Sequence, residues 1–80
     1  MGTAGAITAR VLWERLVLVD DEGRRAWLDA HELLVDGAWR TFDAVTVLRH
    51  RGTPLLLYVN FPDGEHRVPM EQDIPVRDRA

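Results

Sequence analysis

Apolar and polar positions alternate along most of this chain in runs of strand length, and the runs are separated by breaks rich in Asp and Gly. The clearest break is Asp36-Gly37, between His31-Glu-Leu-Leu-Val35 and Ala38-Trp-Arg-Thr-Phe42. A two-residue Asp-Gly link accepts the positive φ angles of a type I′ turn, whose twist matches two antiparallel strands. The loop length then dictates the register: Val35 opposes Ala38, Leu34 opposes Trp39, and Leu33 opposes Arg40. One face carries Leu33, Val35, Ala38, Arg40 and Phe42, and the other carries Leu34, Trp39 and Thr41. Related breaks at Asp21-Glu22-Gly23, Arg51-Gly52-Thr53-Pro54 and Pro62-Asp63-Gly64 put the turn glycines 14, 15 and 12 residues apart, the rhythm of a β-meander.

The remaining segments fit the same plan. Ile7, Ala9, Val11 and Trp13 alternate with Thr8, Arg10 and Leu12, which predicts a strand from Ile7 to Val19, either bulged near Glu14 or split in two. Arg24 to Leu28 returns antiparallel to Leu16–Val19, and Asp29-Ala-His-Glu32 reads as one helical turn, with Asp29 and Glu32 at the spacing of a capping box. Ala44 to Leu48 is a β-branched strand joined through Arg49-His-Arg-Gly52 to Leu55 and onward. An Asp63-Gly64 loop would set Phe61 opposite His66, Asn60 opposite Arg67 and Val59 opposite Val68, with Leu57, Val59, Phe61, His66 and Val68 sharing a face. Ile74-Pro-Val76 reads as a short edge piece, because proline gives the ladder no donor. The expected organisation is a disordered 1–6, a single β domain over 7–76 and a frayed 77–80. Its fold class is all-β, a small curled antiparallel meander or SH3-like barrel of five to six strands with one short helical turn near 29–32.

Leu33 to Phe42, followed by Val45, Val47, a Gly-containing tip, Leu55 to Phe61, Asp63-Gly64 and Val68-Pro69, resembles the meander of SH3-like and KOW-type small barrels. The resemblance covers roughly residues 28 to 77. It implies a binding module for nucleic acid, a ribosomal surface or a peptide, and carries over no particular ligand or residue.

Composition narrows the chemistry. A chain of 80 residues has a thin core, and it contains no Cys, no Ser and no Lys, so all ten basic residues are arginine. Ser and Cys nucleophiles, a lysine Schiff base and a P-loop lysine are thereby closed off. The lack of cysteine favours a cytoplasmic setting. The start of the chain lacks the basic and apolar regions of a signal peptide. Leu55-Leu-Leu-Tyr-Val59, the longest apolar stretch, is far short of a membrane span. His31, His50 and His66 lie 19 and 16 residues apart, without metal-ligand spacing, so neither a metal nor a cofactor is expected. No pair of groups is placed by sequence for acid-base catalysis.

Two surfaces remain as candidates. Trp39 and Leu34, paired on the face away from Leu33 and Val35, together with Tyr58, would anchor a protein partner. Arg40, Arg49, Arg51 and Arg67 beside Tyr58 would meet phosphates while the ring stacks on a base. A net charge of −3 weighs against the second. The expectation is therefore a small non-enzymatic interaction module, a regulator or accessory subunit that binds another protein, with no membrane role. Edge pairing through 7–19 offers a route to a homodimer. The alternative is an RNA- or single-stranded-DNA-contacting barrel.

Overall fold

The segment expected as one long strand divides at Thr8. In the computed structural model, which describes residues 4–79, β1 (Ala4–Thr8) leads directly into α1 (Ala9–Val17) and then α2 (Asp21–Ala30). Thr8 caps α1, its hydroxyl accepting the Val11 N–H at 3.2 Å. Ala9, Leu12 and Leu16, at i, i+3 and i+7, form the buried stripe. The strand-like alternation of Ile7 to Trp13 thus coincides with a helical stripe that starts two residues later, and the cap decides between them. No bulge forms at Glu14, which lies within α1.

Asp20 is the second cap, accepting the Gly23 N–H at 2.7 Å, with Asp21 and Glu22 in the positive first turn of α2. The break at Asp21–Gly23 is therefore a helix start, and Arg24–Leu28 is helical where a strand was expected. Asp29 and Ala30 close that helix, while His31 and Glu32 open the next strand, so no separate helical turn exists at 29–32. Arg24 joins the two helices. Its guanidinium donates to the carbonyls of Leu16, in the last turn of α1, at 2.8 Å and of Val19, in the link between the helices, at 3.3 Å, and pairs with Asp21.

Among the described residues seven strands form two antiparallel sheets. To β1 are added β2 (His31–Val35), β3 (Ala38–Arg40), β4 (Ala44–His50), β5 (Thr53–Phe61), β6 (Gly64–Pro69) and β7 (Asp73–Asp78). The first sheet has the order β1-β7-β2-β3 and the second β4-β5-β6, and they remain two sheets instead of closing into one barrel. The β2–β3 register is the one expected, and Asp36 and Gly37 take φ values of 53° and 80°, as a type I′ turn requires.

The β5–β6 register differs. Phe61 pairs with Gly64, Val59 with His66 and Leu57 with Val68, so the loop is Pro62-Asp63. Pro62 fixes a negative φ that a type I′ turn cannot take, and Gly64, at φ 150°, absorbs the mismatch. The slip is two residues, an even number, so the faces survive: Leu57, Val59, Phe61 and Val68 are all buried.

β7 is central, between β1 and β2, and not an edge. Pro75 sits opposite Ala6, while the ladder with β2 stops at Leu33 opposite Val76, one residue short of it. β1 begins at Ala4 and β7 ends at Asp78, inside the segments expected to be disordered and frayed; residues 1–3 and 80 lie outside the described residues. The core joins α1, α2 and both sheets through Leu12, Leu16, Leu28, Leu33, Leu57 and Val59. Trp13 and Trp27 pack against it half-buried.

Candidate functional site

An open cleft of about 430 Å³ lies between the helices and the inner face of the first sheet. That volume lies in the range of ligand clefts. Its sheet wall is Ile7 and Val76, its helix wall is Val11, Arg15 and Trp27, and Thr8, His31 and Asp73 sit at its ends. Ala6, Ile7 and Thr8 all line it, although successive strand side chains point to opposite faces. The backbone edge of β1 is therefore part of the wall.

Pro75 determines what that edge presents. In an antiparallel ladder, opposed residues alternate between pairs that exchange two hydrogen bonds and pairs that exchange none. Pro75 has no N–H, so Ala6 opposite Pro75 belongs to the second kind. The N–H and C=O of Ala6 then point away from β7, towards the open edge. Among the described residues, β1 pairs only with β7, and no further backbone hydrogen bond engages Ala6.

Trp27 and His31 are tied to each other and to the core. The Trp27 indole stacks on His31 with centroids 4.1 Å apart and meets Phe42 of the core edge-on at 6.1 Å. His31 Nδ1 lies 2.8 Å from the Trp27 carbonyl, which only accepts, so Nδ1 carries hydrogen, and Nε2 faces Asp78 at 3.5 Å. A second hollow of about 260 Å³ between Leu16, Val17, Leu28 and Val45 has only Arg24 as a charged wall, and that guanidinium is already engaged. The first cleft combines apolar and polar groups with the greater volume.

The residues singled out from sequence lie elsewhere. Trp39 and Leu34 are paired on the outer face of the first sheet, both half-buried, with the Arg77 guanidinium 4.5 Å over the indole. Tyr58 is on the outer face of the second sheet, with Arg67 5.4 Å over its ring and paired to Glu65. Arg40 stacks on Phe61 at 4.3 Å and bonds Asp63, whose carboxyl is held below its ordinary value chiefly by that hydrogen bond. Arg49 lies 5.1 Å over Trp13, and Arg51 occupies the β4–β5 turn at φ 52°. Arg40 and Arg49 thus stand at opposite ends of β5, roughly 25 Å apart at strand rise. Among the described residues no cluster of three or more His, Asp or Glu is placed to hold a metal ion. No helix there is long and apolar enough to cross a membrane.

Sequence reading missed the cleft because its walls come from β1, α1, α2, β2 and β7. The accessible signal was the pair Val11 and Arg15, at i and i+4, beside the buried stripe of α1. The fold and geometry define a small two-sheet antiparallel domain with a cleft beside an open strand edge. No family model matches the chain, and neither does any curated protein or solved structure compared with it.

Proposed function

We infer that this chain is a non-catalytic protein-interaction module that takes an extended segment of a partner as an additional strand on β1. The observation that carries the reading is the outward-facing N–H and C=O of Ala6 on an edge that also lines the cleft. Added strands gain affinity from main-chain hydrogen bonds and selectivity from pockets for alternate side chains. Here the inward side chain of the added strand would enter the cleft against Ile7, Val11 and Trp27. A regulator or accessory subunit acting in the cytoplasm fits such a role, and the resemblance of the 28–77 meander to SH3-like and KOW-type modules is compatible with it. Pairing of β1 with β1 of a second copy uses the same edge, in place of the longer 7–19 strand expected from sequence.

The nucleic-acid alternative draws less support, because Arg40, Arg49 and Arg67 are each committed to partners within the chain. The outer Trp39–Leu34 pair is a competing protein contact.

Selection of arrayed strand-forming peptides against the immobilised chain, followed by amide exchange, tests the reading. Slowed exchange at Ala6 is the expected result. Ala6→Pro removes the outward N–H at a position where β7 receives none, so folding by circular dichroism should persist while peptide capture is lost. Undiminished capture by Ala6→Pro refutes β1 as the site, and loss of capture on Trp39→Ala alone moves it to the outer face.

A further inference from the structure

We propose that the cleft selects an added strand bearing an acidic side chain, with Arg15 as the residue that reads it. The proposal rests on β1 being the docking edge. Its basis is the state of the arginines. Of the ten in the chain, five hold a carboxylate within 4.0 Å and two more, Arg49 and Arg79, donate to main-chain carbonyls. Arg15, Arg25 and Arg51 have no such partner among the described residues, and of these three only Arg15 lines the cleft.

Arg15 stands one helical turn beyond Val11, so its five donors reach over an apolar wall that an incoming aliphatic stem would cover. A Glu or Asp side chain matches that fork with two parallel bonds. The ends of the cleft are unlike. Asp73, opposite Thr8, is three strand residues from Val76, about 10 Å at strand rise. It forms no ion pair with Arg15 among the described residues, and its charge repels an acid from its own end. The anion is thereby directed away from Asp73 and towards Arg15, and the strand docks in one polarity.

The test uses the full chain and a fluorescent heptapeptide alternating Thr and Val, blocked at both termini, with Glu, Gln or Lys at the central position. Anisotropy titrations should show the Glu peptide binding about threefold to fivefold more tightly than the Gln peptide, the range for a partly solvated ion pair. Arg15→Gln should erase that difference, and Arg15→Glu should shift preference to the Lys peptide. Equal affinity of Glu and Gln peptides for the unmodified chain, with Ala6 still protected from exchange, overturns the acidic preference alone. Absence of binding by all three overturns both this proposal and the β1 reading.

Discussion

Replacing Arg24 by Ala removes the side chain that ties the end of α1 to the start of α2. Its Nε donates to the Leu16 carbonyl at 2.8 Å and an Nη to the Val19 carbonyl at 3.3 Å, while the other Nη meets Asp21. A well-formed bond from a charged donor contributes about 1.5–3 kcal/mol. The second bond is long and the side chain is 38% exposed, so the two together are worth about 1.5–2 kcal/mol after discounting for solvent. The Asp21 contact adds little, because that carboxylate is 99% exposed. Arg24→Ala should therefore cost about 1.5–2 kcal/mol and Asp21→Ala, which also removes a carboxylate from the positive first turn of α2, no more than about 1 kcal/mol. Arg24→Lys, which can reach one carbonyl but has no fork, should fall between them. With a urea m-value of about 1 kcal/mol/M, Arg24→Ala lowers the midpoint by about 1.5–2 M at unchanged slope. An equal loss from Asp21→Ala and Arg24→Ala would show that the surface ion pair, not the helix-end carbonyls, carries the contribution, and the account of this corner would fail.

Two further outcomes follow from the core and from the β5–β6 turn. Leu57→Ala, at a fully buried position of β5, should destabilise by about 2–5 kcal/mol in the same urea titration, a large part of what an 80-residue domain has. The Asp63 carboxyl is held below its ordinary value by Arg40, so its contribution to stability is complete above the unfolded pKa and is lost as pH falls through the lower folded one. Carboxyl NMR should follow this titration below the usual carboxylate range, and Arg40→Gln should return it to that range.

What could be read from sequence was local. The β2–β3 register follows from two turn residues and was legible residue by residue, and the buried face of β5 survived a misplaced loop because the slip was even. The helices were hidden for a physical reason. Val11, Trp13 and Val17 fit strands as well as helices, and α1 and α2 span only 9 and 10 residues, so a single cap outweighs the side-chain preferences. Thr8 and Asp20 were the available signals. The candidate site was less legible still, since Arg15, Trp27, His31 and Val76 meet only after β1 and β2 have both paired with β7.

Pro75 shows how one residue carried both the error and its correction. Read locally, a proline without a donor argues for an edge. In the folded chain the missing donor falls where the β2 ladder has already ended, so a central strand tolerates it. The same missing donor makes Ala6–Pro75 a pair that exchanges no bond, and this turns the polar groups of Ala6 outward. Which residues of the open edge turn their polar groups outward is therefore fixed by a residue on the neighbouring strand. That edge lies on β1, the neighbour of Pro75, and the cleft with Arg15 opens beside it.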